Sequence, residues 1–255
     1  MVGNGTVIWL LGFRVKRNPF LVYVLNLAIA DFTFLLSLDA WVTSRFFLDY
    51  NDEMIEFFIS LFVMTNTAGL FLLMAISTER CLSVTFPIWY KCRRPAHLST
   101  TVCALIWGLS LCLGVLWFLC DSLYSMYYIY DTLLWVYSVL YFPTLLVLCV
   151  SSLTLLIRVH CCSRRRQVTK LYRVILLTVL AFLLLGLPLG LSFLLYTLKY
   201  WFVNFKYFFK ISRLLAALNS AVNPVIYFFV GRQGQRPGRK ALRELLQSAL
   251  VEDTS

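Results

Sequence analysis

A carboxylate and a guanidinium stand side by side at the end of a long apolar stretch. Glu79 and Arg80 follow the uncharged run FFISLFVMTNTAGLFLLMAIS. Such a pair could serve acid–base catalysis, hold structure, or change partners as a switch. The chain has only two histidines, His97 and His160, and both lie beside basic clusters, so no serine–histidine pair can form within the apolar runs. The sequence therefore disfavours an enzyme and leaves a structural ion pair and a switch as alternatives.

A second set of polar residues lies inside apolar runs. Asp31 ends LNLAIAD, and Asn219, Ser220 and Asn223 belong to LNSAVNPVIY. Asn219 and Asn223 are four residues apart and therefore share one face of a helix. Because polar groups at membrane depth are expensive, we expect these residues to meet in the hydrated centre of a helix bundle.

The composition places both sets in a membrane protein. Of the 255 residues, 60% are hydrophobic and only 14% are charged, which is too few for a soluble domain. The net charge of +11 alone would fit a nucleic-acid-binding protein. However, the basic residues occur in short clusters between apolar runs rather than along one stripe. We therefore expect membrane lipids and not nucleic acid as partners.

One cluster, His160-Cys161-Cys162, contains residue types that bind zinc. A structural zinc site needs four ligands, and nothing nearby in the sequence completes the set. No metal site is predicted.

The apolar runs predict an all-α bundle of seven transmembrane helices over residues 1–230. A spanning helix needs about 20 apolar residues. The run 1–13 would reach only about 20 Å, so the first helix is expected to be incomplete. Residues 231–255 are expected to form a cytosolic amphipathic helix and tail, with a solvated tail helix as the alternative. The six longer runs lie near 20–44, 54–82, 99–119, 131–158, 171–198 and 208–230.

The distribution of lysine and arginine predicts the orientation. If the segment RVKRNP at 14–19 is cytosolic, the cytosolic side carries 18 of the 23 basic residues. Basic residues favour the cytosolic side of a membrane. We therefore expect a plasma-membrane protein with an extracellular N-terminus and a cytosolic C-terminus, in which Glu79 and Arg80 lie at the cytosolic end of their helix.

Several ordered motifs resemble rhodopsin-like (class A) G-protein-coupled receptors. Within that class FRVKRNPF, LGLPLG and NPVIYFFVG resemble the Mas-related receptors, over nearly the whole chain and with a shortened N-terminus. The resemblance implies that an extracellular peptide or small cationic ligand rearranges the helices and thereby activates cytosolic heterotrimeric G proteins. The class A motifs are Asn4 in GN, Asp31 in LAIAD, ERC at 79–81, Trp107 in LIWGLS, Pro188, and NPVIY at 223–227.

The resemblance assigns an activation switch. It implies that Glu79 restrains Arg80 at rest and that Arg80 faces the G protein in the active state. The segment RRRQVTKLYR at 164–173 lacks the carboxylate with which related receptors hold the arginine a second time, so we expect basal activity. The remaining switch residues are Gly186, in place of a tryptophan, and Pro188, Asn223, Pro224 and Tyr227.

The resemblance also implies that Asp31, Asn219, Ser220 and Asn223 hold a sodium ion and water that are lost on activation. The alternative is a polar network that only pins the helices together. Gly69 stands where the family often supplies a serine ligand. No other cofactor is expected.

A shallow ligand pocket is implied at the extracellular face. Asp39 and Asp131 could attract a cation. Phe62 stands where amine receptors have an aspartate, which argues against a biogenic amine. An aromatic belt at the membrane interface is the alternative for the aromatic members. These members are Phe62, Trp117, Tyr124, Trp135, Tyr196 and Trp201.

Two other functions remain open on the sequence alone. The shortened first helix would fit a non-signalling receptor. A transporter or channel is disfavoured, because no second internal repeat is visible and the charged residues do not form a chain across the membrane.

Overall fold

A computed structural model describes residues 1–14, 18–47, 52–122, 127–162, 170–198, 205–232, 244–246 and 250. Its helices are α1 (Val2–Phe13), α2 (Pro19–Phe47), α3 (Asp52–Thr85), α4 (Pro87–Cys92), α5 (Leu98–Ser122), α6 (Tyr127–Cys162), α7 (Lys170–Ala181), α8 (Leu187–Thr197) and α9 (Phe205–Arg232). A π-helical turn, Phe182–Gly186, joins α7 to α8.

Within the described residues, six segments are long and apolar enough to cross a membrane. They confirm the predicted all-α fold, together with α1 as a short apolar N-terminal helix. Helices suit this environment because they satisfy their own backbone hydrogen bonds. The six segments are Pro19–Ser44, Glu53–Thr85, Leu98–Leu119, Thr132–Ile157, Tyr172–Thr197 and Phe205–Arg232.

The central helix of the bundle is α3. It packs against α2, α5 and α6, and its spanning segment is the most deeply buried of the six. Between α2 and α5, the indole nitrogen of Trp107 donates a hydrogen bond to Oδ1 of Asn26 over 2.9 Å. The outward faces of α5 and α6 expose apolar side chains such as Leu105 and Leu146, as expected where lipid covers a helix.

The short helix α1 packs against α2 and α9. The first turn of α1 lies close to α9, because a Cβ on Gly3 would lie 3.0 Å from the Cβ of Pro224. At the next residue of α1, Nδ2 of Asn4 donates a hydrogen bond to the carbonyl of Ser220 over 2.9 Å. These contacts hold α1 against α9, and α9 also packs directly against α2, where the polar residues of both helices can meet.

Prolines affect the helices differently. α6 and α9 stay helical through Pro143 and Pro224. Before Pro188 the helix instead widens into the π-helical turn. A proline ring clashes with the carbonyl of the fourth residue before it, here Leu184. Leu184 lies within the wider turn, which relieves that clash.

The predicted amphipathic tail helix at 238–250 lies mostly outside the described residues. Of its described positions, Leu246 and Leu250 are buried. A Cβ on Gly231 would collide with the Leu245 carbonyl, so the tail approaches the end of α9 closely.

Candidate functional site

A buried ion pair lies at the end of α3, but it differs from the predicted one. Oε1 of Glu79 accepts hydrogen bonds from the hydroxyl of Tyr90 (2.8 Å) and from Nε and Nη2 of Arg94 (2.9 and 2.6 Å). Arg94 also donates to Oγ of Ser99 on α5. The side chains of Arg94 and Glu79 are 6% and 10% exposed. One carboxylate therefore fixes α4 and the start of α5 to α3.

Arg80 is directed elsewhere. Its guanidinium carbon lies 4.3 Å from the centre of the Phe20 ring on α2, a cation–π distance. The expectation that Glu79 holds Arg80 is therefore wrong for this structure, because the salt bridge of Glu79 is with Arg94. Adjacent side chains of a helix start in different directions, so Glu79 and Arg80 can meet only if both long side chains bend toward each other. The loop after α4 instead brings a second guanidinium to the carboxylate.

Tyr90 keeps its proton in this arrangement. Burial and the hydrogen bond to the Glu79 carboxylate raise the pKa of Tyr90 to about 12. Because that pKa lies far above neutral pH, the phenol remains a hydrogen-bond donor to Glu79.

The central polar residues meet where α2, α3 and α9 converge. Nδ2 of Asn223 donates to Oδ2 of Asp31 over 2.7 Å. A cavity of about 20 Å³ lies beside Asp31, Asn66, Gly69, Asn219 and Ser220. Such a cavity has room for one water molecule or a small cation.

Two oxygens near this cavity lack partners. Oδ1 of Asn219 and Oδ1 of Asn223 are buried, and neither accepts a hydrogen bond from any residue that the structure describes. Hard cations prefer carboxylate and amide oxygens. The donor set of Asp31 and the two asparagines therefore fits sodium, as well as water.

Gly186 and Gly190, on either side of Pro188, meet a tyrosine of α6. The hydroxyl of Tyr141 donates to the Gly186 carbonyl over 3.1 Å. A Cβ on Gly190 would collide with the Tyr141 ring, and a Cβ on Gly186 would collide with the Phe182 ring, so each glycine of LGLPLG makes room for an aromatic side chain. Elsewhere, Tyr227 is buried and lines a small cavity with Phe20.

The predicted ligand residues do not form one group. Phe62 is buried with its ring centre 4.8 Å from that of Phe34, and Trp117 lies 6.3 Å from Phe193. Tyr196 is half-buried beside Phe205. Other members fall elsewhere: Asp39 and Trp135 are exposed, Tyr124 and Trp201 lie outside the described residues, and so does the side chain of Asp131.

The sequence did not predict an aromatic cluster that lies next to Trp117. The ring of Phe193 on α8 lies 5.0 Å from Tyr137 and 5.6 Å from Phe209. Tyr137 is also stacked with Tyr141 at 6.1 Å and accepts a 2.6 Å hydrogen bond from Asn66 on α3. The four-residue spacing of Tyr137 and Tyr141 was the available signal, because it places both on one helix face.

Arg94 and Tyr90 were also missed. Arg93 and Arg94 look alike in KCRRP, and their pattern is typical of a solvated cytosolic cluster. Only the course of the chain after α4 decides that Arg93 is exposed while Arg94 turns inward.

The described residues contain no group of three or more histidine, cysteine or acidic side chains that could hold a metal ion. The side chains of His160, Cys161 and Cys162 lie outside that part of the chain.

Comparisons with known proteins agree with this architecture. The profile of the seven-transmembrane receptor (rhodopsin) family matches residues 3–227. The chain is 46% identical to the human Mas-related G-protein coupled receptor member X2 over 267 residues, covering 99% of this chain and 79% of that relative. For the human member X1 the identity is 44% over 265 residues, with 99% and 80% covered. The rat member A is 45% identical over 261 residues, with 99% and 85% covered. The chain therefore belongs to the rhodopsin-like seven-transmembrane receptors, as a Mas-related G-protein-coupled receptor, a multi-pass membrane protein that signals and is not an enzyme.

Proposed function

We propose that this receptor passes the binding of an extracellular peptide or small cationic ligand to a cytosolic heterotrimeric G protein through Arg80. The observation that supports this proposal is the position of Arg80. It is 6% exposed at the end of α3 and stacks on Phe20, while the charge of Glu79 is met by Arg94. Arg80 can therefore change partners without breaking an ion pair to Glu79. The lack of a carboxylate in the segment RRRQVTKLYR at 164–173 supports basal activity.

The proposed orientation puts the Arg80 end in the cytosol. Its support is the charge bias, since 18 of 23 basic residues then lie on the cytosolic side. In that orientation α1 begins at the extracellular side, and the ends of α2 and α8 and the start of α9 form the extracellular face.

The proposed route of the signal starts in the aromatic cluster. Trp117 and Tyr196, together with Phe193, would respond to a ligand at the extracellular face. Tyr137 and Tyr141 then connect this cluster to the Gly186 carbonyl in the π-helical turn. A displaced Tyr141 would release the segment from α7 to α8, and helix shifts of this kind are a common way of switching.

The ligand class is the less constrained part of the proposal. Asp39 is exposed on α2 and would attract a cation, as would Asp131. Phe62 forms the apolar floor with Phe34. Trp135, which is 47% exposed, faces away from the buried cluster and fits the interfacial belt better than the pocket.

We also propose that sodium binds beside Asp31. Asp31, Asn219 and Asn223 would hold it, with Ser220 nearby, and sodium would supply a positive charge that favours the ionised carboxylate. The buried amide oxygens without hydrogen-bond partners support this proposal. Gly69 supplies no ligand, so water would have to complete the coordination.

Ligand-free signalling in intact cells tests the proposed function. Arg80→Ala should abolish most of the ligand-free G-protein signal at equal surface expression, because the group that meets the G protein is lost. Arg232→Gln, at an exposed arginine near the same end, serves as the control and should leave the signal unchanged.

An Arg80-dependent signal also requires the Arg80 end to reach cytosolic G proteins, so it supports the orientation. A surface-expressed parent whose signal does not change on Arg80→Ala would contradict the switch. A parent with no signal at all, with or without a broad panel of peptides, would favour the non-signalling alternative.

A further inference from the structure

An apolar groove lies beside the ion pair, on the outer side of α4. It has a volume of about 430 Å³ and runs along the junction of α3 and α4. Phe86, Ile88 and Trp89 line it and are 56%, 80% and 40% exposed. Exposed apolar side chains grouped in this way indicate a binding surface rather than a water-facing loop. Arg93 and Cys92, both exposed, complete the lining.

The contacts of Glu79 determine which side chains of this segment face away from the bundle. Tyr90 and Arg94, four residues apart, both bind the Glu79 carboxylate and so face the bundle. Residues that are one or two positions away point to other sides of the chain. Ile88, Trp89 and Arg93 therefore face outward together on a segment that is held at both ends by hydrogen bonds.

The groove lies at the level where the membrane ends. The spanning segment of α3 ends at Thr85, which is the first residue of the groove lining, and α5 begins at Leu98. Tryptophan favours this interfacial level, where one part of the ring is apolar and the other is hydrated. An occupant must therefore present hydrocarbon to Phe86 and Ile88 and polar groups to Arg93.

We propose that the groove binds an anionic phospholipid of the cytoplasmic leaflet, with an acyl chain on Ile88 and Trp89 and the phosphate on Arg93. A guanidinium is well suited to phosphate, and the cytoplasmic leaflet carries the anionic lipids. The inference rests on the proposed orientation, and it adds a site to the proposed function.

Fluorescence quenching by brominated lipids tests the site directly. The receptor is reconstituted in nanodiscs of equimolar phosphatidylcholine and phosphatidylglycerol, with bromine on the acyl chains of only one lipid at a time. The difference between the parent and Trp89→Phe isolates the Trp89 signal from the other six tryptophans. One arginine near an anionic leaflet should enrich anionic lipid about fivefold at the groove. Brominated phosphatidylglycerol should therefore quench Trp89 more strongly than brominated phosphatidylcholine.

Two variants with a matched control assign the contacts. Arg93→Gln should remove the preference for phosphatidylglycerol while quenching by both lipids remains. Ile88→Ser should reduce quenching by both lipids, and it is 80% exposed, so the fold tolerates it. Arg232→Gln should keep the preference of the parent.

Equal quenching of Trp89 by both brominated lipids in the parent would overturn the anionic site. Absence of quenching would overturn lipid binding altogether, and quenching that is relieved on adding purified G protein would assign the groove to that protein. The quenching measurement does not depend on signalling. If the parent shows no preference for phosphatidylglycerol but keeps Arg80-dependent signalling, only the lipid site is contradicted. If the parent keeps the lipid preference but shows no Arg80-dependent signalling, only the proposed function is contradicted.

Discussion

Arg94 is the residue on which the resting state depends most directly. Its guanidinium supplies two of the three hydrogen bonds that Oε1 of Glu79 accepts. A buried carboxylate that loses its cation is costly, at about 3–5 kcal/mol. Glu79 must then find another positive group, and Arg80 is the next residue along the chain.

Arg94→Gln is therefore expected to lower ligand-free signalling and the melting temperature. The neutral side chain leaves Glu79 free to recruit Arg80, which withdraws Arg80 from the G protein. Arg94→Lys keeps the charge and should retain most of the signal. The measurement is ligand-free G-protein activation at equal surface expression, with thermal unfolding in parallel.

The neighbouring exposed arginine provides the control for stability, since Arg93→Gln should leave the melting temperature unchanged. A melting temperature that stays the same in Arg94→Gln would contradict the importance of the pair. Unchanged or increased signalling would contradict the exchange of partners.

For single residues, the sequence predicts where a functional side chain lies better than it predicts which side chain it contacts. It places Glu79 and Arg80 at the end of a helix, and it places Asp31 and Asn223 at corresponding depths, where they do meet over 2.7 Å. It cannot show that Arg94 rather than Arg80 reaches Glu79, because that depends on the turn between α4 and α5. It also cannot separate Trp117, which is buried, from Trp135, which is exposed.

Among the elements, α6 restrains the π-helical turn through Tyr141. Gly186 stands where the resemblance to class A receptors in general implies a tryptophan, and the ring of Phe182 fills the space beside it. The hydroxyl of Tyr141 donates to the Gly186 carbonyl, and its ring packs against Gly190. The ring of Tyr141 also lies 6.4 Å from Phe182, at the start of the turn. A single side chain of α6 therefore holds the segment that we expect to move.

Tyr141→Phe is expected to raise ligand-free signalling about threefold, and by no more than about 18-fold. It removes only the hydroxyl that binds the Gly186 carbonyl, and interhelical hydrogen bonds in membranes contribute about 0.6 to 1.7 kcal/mol. Gly190→Ala should act in the same direction and also lower the melting temperature, because its methyl group collides with the ring and overpacking costs about 1–3 kcal/mol.

Tyr207→Phe is the matched control, since that hydroxyl belongs to a side chain that is 67% exposed. It should change neither signalling nor stability. If Tyr141→Phe signals like the parent while Gly190→Ala is destabilised, Tyr141 packs the joint without restraining it.

Two elements show which local structures are difficult to predict from the sequence. The pattern LGLPLG indicates an irregular helix, but the pattern alone does not distinguish a π-helical turn from a kink. The short helix α4 was not predicted at all. Its available signal was Pro87, since proline is favoured at the first position of a helix.

In the whole molecule, the helices are joined through one polar centre. Asn4 on α1 and Asp31 on α2 both bind α9, through the Ser220 carbonyl and Asn223. The cavity beside them also touches α3 through Asn66, which binds Tyr137 on α6. An ion that binds here would stabilise the packing of the whole bundle, so its effect should appear in global unfolding.

The melting temperature should therefore be higher in sodium chloride than in choline chloride of equal ionic strength. Sodium at ten times its Kd would stabilise the folded state by about 1.4 kcal/mol, which corresponds to about 3–6 °C for a protein of this size. Asp31→Asn should abolish the difference, because its amide oxygen still accepts from Asn223 but no longer carries the charge that binds sodium. Asp39→Asn, an exposed aspartate of the same helix, should keep the full difference. Equal melting temperatures of the parent in the two salts, or a sodium effect that survives in Asp31→Asn, would reduce the polar centre to a cross-link between helices.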